Sequence, residues 1–428
     1  MTNAPQANSS TGVPGFADAA ATDPVRLGWM RGSPPPPEHT IRFSDGSYWR
    51  FPMRRWSFSH WRELVPTVNV ARGPGPACVL PRAVRDDLDA VSWTPLGGGE
   101  SLNWAQSIDA NYTDGIVVLH RGRIVAEHYR GALREDLPHI AFSVTKSFFG
   151  VIASTLITEG RLDPAAPVAH YLPELGRSGF GDATVTQVLD MTTALRHTEQ
   201  YDDPASDFGD YARASGLAPR PAGYSGADST YAYLAAIAKD GEHGRAFTYR
   251  SINTDVVGWL IARVTGLAPQ EALRARLWGV LGVEDDAFLQ VDGVGTPLVA
   301  VALNARLRDL ARFGEMLRLD GQFNGRQVVP AEVVRDLRRG GSREAFTHAG
   351  YRTLPGWSYR RQWWISHNDH EAYMARGIHG QAIYVDPAAE MVIARFASHP
   401  LASNVHLDPT SLPAYHALAR HLISHPGG

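Results

Sequence analysis

The 428 residues carry 41 Lys+Arg against 44 Asp+Glu, a formal net charge of -3, with 44% hydrophobic and 20% charged residues. That balance excludes nucleic acid or an anionic membrane as the main partner, and the length allows about two to three structural units with ample core. A single cysteine, Cys78, excludes an intrachain disulfide framework.

No run approaches the roughly 18 apolar residues of a membrane span. The first residues lack a basic stretch followed by an apolar one, and Arg54-Arg55 lies too deep to be a twin-arginine signal. A cytoplasmic monomer or homodimer is expected. Residues 1–45 are rich in Ala, Ser, Thr, Gly and Pro and include Pro34-Pro35-Pro36-Pro37. So little apolar surface predicts a mobile or surface-draped tail. The aromatics Tyr48, Trp49, Phe51, Trp56, Phe58 and Trp61 then read as packing that fixes the tail to the body.

Gly115–His120 and Arg123–Tyr129, separated by Arg121-Gly122, predict a β-hairpin. An apolar helix comes next, from Val144 to Ile157, with Gly160 as its stop. Apolar positions at helical spacing recur in Val185–Met191, Asp255–Val264 and Val301–Leu319, with an aperiodic region at about 195–230. Short strands are predicted at Gln362–Ile365, Gly380–Val385 and Met391–Phe396, and a closing helix at Ser411–Ile423. The expected class is α+β. Residues 46–160 and 301–428 supply an antiparallel sheet flanked by helices from both termini, and 161–300 form an inserted, mostly helical domain.

Ser143-Val144-Thr145-Lys146 opens the apolar helix, and residues three apart share a helix face. A serine hydroxyl needs a base to become a nucleophile, and a buried lysine held neutral can be one. Only Lys146 and Lys239 are lysines, the remaining basic residues being arginine, which cannot deprotonate. No G-x-S-x-G elbow surrounds Ser143, which disfavours an α/β-hydrolase. The His367-Asn-Asp-His370-Glu371 run lacks a helical frame for metal binding and reads as a polar loop, so neither metal nor cofactor is expected.

Together with Gly160–Pro164, Tyr171–Leu175, Tyr201–Ser206, Tyr249-Arg250-Ser251, Arg361–Trp364 and Gly377–Gln381, this motif resembles the serine β-lactamase and penicillin-binding-protein superfamily. The likeness is to its class C and esterase branch, and within that to the 6-aminohexanoate-dimer hydrolases, over about 100–400. It implies a β-lactamase-like fold and a serine hydrolase acting on small linear amides or carboxylic esters through an acyl-enzyme. The rivals are a pure carboxylesterase, a β-lactamase or D,D-peptidase, and a non-catalytic binding scaffold. The resemblance makes Ser143 the nucleophile, Lys146 its base and Tyr249 the proton-exchanging partner, its phenol lowered in pKa by the lysine ammonium. Read alone, without the other motifs, Tyr249 is a packing tyrosine before a helix capped by Ser251 or Asn253.

By the same resemblance the N–H groups of Ser143 and Ile378 form an oxyanion hole. Tyr201 meets the substrate amide, with Ser251, Asn253, His379 and Gln381 as further substrate-binding candidates. His379 has an equal reading as a structural histidine. The strand carrying Gly377 has no lysine of the Lys-Thr-Gly kind, which weakens a β-lactamase. Where the family's efficient dimer hydrolases place an aspartate for the substrate ammonium, this chain has Ala212. Asp207 and Asp210 are the substitutes, with solvated loop acids as the other reading.

Overall fold

The computed structural model describes residues 13–426. Both halves of the chain build one seven-stranded antiparallel sheet. Its strands are β1 (Thr113–His120), β2 (Arg123–Tyr129), β3 (Ser358–Arg360), β4 (Trp363–Ile365), β5 (Tyr373–Gly377), β6 (Gln381–Asp386) and β7 (Met391–Ala397). Their order is β3-β4-β5-β6-β7-β1-β2. The β1–β2 hairpin forms as predicted, turned by Arg121 and Gly122 at φ 53 and 75 degrees. Paired positive angles are what a two-residue turn needs to match the strand twist.

Pleating divides the sheet's side chains between two cores. Val117 and Leu119 of β1 join one cluster with Ile383, Val385 and Val392. Ile116 and Val118 join the other with Met391, Ile393 and Tyr415. The longest helices are α1 (Val144–Thr158), α2 (Ser251–Thr265), α3 (Leu307–Arg318) and α4 (Asp408–Ser424). A Cβ built on Gly314 of α3 would stand 2.6 Å from Val392 and 2.8 Å from Ile383, so α3 lies directly on the sheet. On the other face Tyr415 of α4 meets Tyr384 with ring centroids 5.2 Å apart.

The differences from the sequence reading have local causes. α3 begins at Leu307 rather than Val301, because Leu303–Ala305 is drawn into a second antiparallel sheet. That sheet runs Thr67–Val70, Ala287–Gln290, Leu303–Ala305, His139–Ile140. Two to four residues give too short a period to read in advance. The aperiodic region contains a helix, Asp207–Ala214, started by Ser206, whose Oγ accepts the Gly209 N–H at 3.2 Å. Strands β3 and β5 also lie outside the predicted ones. Of the tail, residues 1–12 lie outside the described residues. From 13 onward it runs in turns against the body, with Thr22 and Ile41 buried and Tyr112 donating to the Ala17 carbonyl at 2.9 Å. Among the described residues, no helix is long and apolar enough to cross a membrane.

Helix α1 is buried at every residue from Val144 to Leu156. Gly150 lets it meet the chain entering β4: a Cβ there would lie 2.2 Å from the Arg361 carbonyl oxygen. Ser147 donates to the Gln362 carbonyl at 2.8 Å, and Thr254 of α2 donates to the Gln362 side chain at 2.7 Å. Overpacking of this kind costs about 1–3 kcal/mol. Gly150→Ala is therefore expected to lower unfolding stability by at least about 2 kcal/mol, read from the urea midpoint at unchanged slope.

Candidate active site

Ser143 is the N-cap residue of α1, where a serine hydroxyl ordinarily accepts a backbone N–H. Its side chain makes no such bond. Lys146 Nζ lies 2.9 Å from Ser143 Oγ, 3.1 Å from Ser251 Oγ and 2.7 Å from the Ala300 carbonyl oxygen. At 1% exposure the lysine is cut off from bulk water. Burial lowers its pKa to about 8, against the negative charges of Glu199 and Asp255, which raise it.

The neutral amine has one lone pair, and its three neighbours decide where that can point. A carbonyl cannot donate. The Ser251 hydroxyl donates to Glu199 Oε1, so toward Lys146 it is an acceptor. Only the Ser143 O–H remains to face the lone pair. Glu199 thereby sets the direction of the pair through Ser251. Its carboxylate also takes the Ser251 backbone N–H at 3.1 Å to each oxygen, the Tyr201 hydroxyl at 3.4 Å, and lies 3.3 Å from His197 Nε2. Sequence reasoning missed Glu199. The available signal was its place two residues before Tyr201, which in an extended segment puts both side chains on one side.

Tyr249 stands just before α2 and lines a small cleft, about 90 Å³, together with Ser143, Tyr201, Tyr351, Trp364 and Ile378. Its pKa is raised, not lowered as the resemblance implied: burial is the larger cause, and hydrogen bonding with Ser143 acts the other way. Lys146 Nζ sits over the face of the Tyr249 ring, 5.2 Å from its centroid, rather than beside the hydroxyl. Tyr249 is a neutral phenol. No side-chain hydroxyl, Asn or Ser caps α2; Asn253 accepts from Thr193 at 2.8 Å and donates to the Arg250 carbonyl at 3.3 Å.

Ser143 and Ile378 both face the cleft, and neither backbone N–H is engaged by a loop or turn carbonyl among the described residues. Ile378 follows the end of β5 in a tight turn rather than extending the strand. Gln381 stays behind that turn, donating to the Ile378 and Ala397 carbonyls at 3.0 and 2.7 Å. His379 points into an aromatic cluster instead of the cleft and is 1% exposed. Burial and the Arg54 charge lower its pKa well below that of a free histidine.

The cleft also holds residues that short motifs could not flag: Arg376, Asp408, Ser403 and Asn404. Although β5 lacks a lysine, Arg376 brings a cation, ion-paired to Asp408 and 5.1 Å from the Trp364 ring centroid. Ala212 is 7% exposed and packed in the core. Asp207 is occupied by the Thr198 N–H and hydroxyl at 2.8 and 3.0 Å, and Asp210 by Arg213 at 2.6 Å. Neither reaches the cleft. Elsewhere, His367 bonds Ser358 at 2.7 Å and His370 bonds Asp386 at 2.9 Å, so the polar run has separate partners. Among the described residues no group of three His, Cys, Asp or Glu is placed to hold a metal.

A cleft between a mixed helical layer and an antiparallel sheet, with Ser-x-x-Lys at the head of a buried helix, defines a serine hydrolase of the β-lactamase type. The chain belongs to that family, whose beta-lactamase model matches residues 108–410. A 6-aminohexanoate-dimer hydrolase of Paenarthrobacter ureafaciens is 39% identical over 355 residues, 83% of this chain and 88% of that one. A solved structure from Bacillus anthracis, provisionally named a 6-aminohexanoate-dimer hydrolase, superposes with a TM-score of 0.81 at 31% identity. It covers 89% of this chain and 97% of its own. A family VIII carboxylesterase shares the fold, with a TM-score of 0.55 at 17% identity, covering 72% of this chain and 91% of its own.

Because the Glu199 charge raises the Lys146 pKa, removing it moves that pKa down. Glu199→Gln is expected to shift the acid limb of the kcat/KM profile on a p-nitrophenyl ester to lower pH. A pH-rate series on both proteins measures the shift.

Proposed function

We propose that the chain hydrolyses small linear amides of the 6-aminohexanoate-dimer kind and carboxylic esters through an acyl-enzyme on Ser143. The observation that supports this most is the single lone-pair direction of Lys146, toward the Ser143 hydroxyl at 2.9 Å. As Ser143 Oγ attacks the carbonyl carbon, Lys146 takes its proton. The carbonyl oxygen gains negative charge and turns to the N–H groups of Ser143 and Ile378. Tyr249, protonated and in contact with Ser143, donates to the departing amine or alcohol, and the proton held by Lys146 returns to the phenol by relay through Ser143 Oγ, which lies between them. Water then enters on the leaving-group side, gives a proton to the same pair and adds its oxygen to the acyl carbon. The bond to Ser143 Oγ breaks, Lys146 returns the proton to that oxygen, and the acid departs.

The substrate amide meets Tyr201, and no cofactor or metal enters the scheme. Ala212 is buried in the core and Asp207 and Asp210 are engaged elsewhere, so none of the three supplies a carboxylate to a substrate ammonium. That favours esters and amides without a free ammonium over the dimer itself, and makes carboxylesterase activity the second reading. Arg376 is matched by Asp408, so the cleft offers little net attraction to a β-lactam carboxylate.

A p-nitrophenyl ester, a linear aminohexanoate dimer and nitrocefin, assayed in parallel, separate these readings: ester turnover is expected to be fastest and nitrocefin slowest. A fluorophosphonate is expected to add to Ser143 by mass spectrometry, and Ser143→Ala to abolish the adduct; absence of any adduct on the native chain points to a binding scaffold. Tyr249→Phe is expected to lower kcat by about 10²- to 10⁴-fold. The rate should rise with pH through the Lys146 pKa of about 8; a flat profile across that range would remove Lys146 as the base.

A further inference from the structure

Both proposed oxyanion donors sit next to a residue in a conformation that L-amino acids rarely adopt. Phe142, immediately before Ser143, has φ 43 degrees, and His379, immediately after Ile378, has φ 61 degrees. A left-handed backbone at such residues costs about 1–3 kcal/mol and persists only where the surroundings impose it. Here one set of surroundings imposes both. Phe142 and His379 touch each other, with centroids 5.9 Å apart. Trp49 meets them edge-on at 5.7 and 5.5 Å, and Phe58 meets them at 4.9 and 5.4 Å.

Polar contacts complete the enclosure. His379 Nδ1 lies 2.7 Å from the His399 carbonyl oxygen and must carry the hydrogen for that bond; Arg54 Nη1 sits across the same ring edge, 3.1 Å from Nδ1 and 3.3 Å from Nε2, the nitrogen left free to accept. Arg54 also donates to the Pro400 carbonyl at 3.1 Å. The His379 backbone is pinned through its N–H to Ala402 at 2.9 Å and its carbonyl to the His399 N–H at 3.1 Å. Trp49, Arg54 and Phe58 all precede the 108–410 span of the family match.

We infer that the segment Trp49–Phe58 is a positioning element for the oxyanion pocket, holding the Phe142 and His379 backbones so that the Ser143 and Ile378 N–H groups converge on one point. The inference rests on the oxyanion reading of the proposed function and adds a source for its rigidity. Trp49, Arg54 and Phe58 are not among the residues that line the cleft. Their effect is confined to the state in which the carbonyl oxygen carries charge, so it belongs in kcat rather than KM.

The test uses Trp49→Leu, at a half-buried position, with Trp49→Phe as the conservative variant and Arg54→Met as an independent probe of His379. Fluorophosphonate titration of Ser143 counts intact sites in each protein. Losing one oxyanion donor outright costs about 10²- to 10³-fold, so displacing one is expected to cost roughly tenfold in kcat per titrated site. KM for a p-nitrophenyl ester is expected to stay within about twofold, the Ki of a boronic acid that forms a tetrahedral adduct to rise roughly tenfold, and Trp49→Phe to restore both. Native kcat and boronate affinity in Trp49→Leu and Arg54→Met would overturn the inference. So would losses that track only the fraction of sites titrated. If the native protein itself fails to titrate at Ser143, the oxyanion reading falls first, and the inference with it.

Discussion

The Lys146 amine has no access to bulk water, and the surrounding structure answers that constraint. Taking an ammonium out of water costs several kcal/mol, so its site must either supply counter-charge or let it lose its proton. The protein does some of each. Glu199 and Asp255 pull the Lys146 pKa up while burial pulls it down to about 8, and Asp255 is itself raised to about 7 by the same burial. The result is an amine that changes protonation near neutrality inside a cavity whose hydrogen-bond directions are already set.

Those directions come from elements far apart in the chain. Ser143 and Lys146 come from the head of α1, Ser251 from α2, Ala300 from the segment between two strands of the second sheet, and Glu199 from a loop. The same logic governs the proposed oxyanion wall, where β5 ends and the chain turns at Ile378 with Gln381 tied behind it. Rigid packing around α1, with its glycine contact against the chain entering β4, keeps these separate contributions in register. Preorganisation of this kind is what gives electrostatic stabilisation its large share of catalysis.

Much of this was legible in the sequence. The hairpin, the buried helix at Ser143, the sheet joining both ends and the family all follow from period, turn residues and ordered motifs. What was hidden depends on distance in space. Glu199 carries no motif of its own, and its importance exists only because the fold brings it to Ser251. His379 was an open choice in sequence, and the aromatic packing around it decided for structure. The Tyr249 pKa moves opposite to expectation because burial raises it, and the Lys146 amine, which lies over the ring, is not beside the hydroxyl to oppose that. The second sheet escaped because its strands are two to four residues long and owe their existence to one another.

The pairing of β7 with β1 has a kinetic side. A sheet whose middle is made by an early and a late strand cannot close until most of the polypeptide has been synthesised, and such long-range pairings form slowly. During translation the nucleophile's helix would emerge well before the turn at Ile378. Until β5 to β7 arrive, the serine would lack its opposite wall, and a nascent chain would have no cleft.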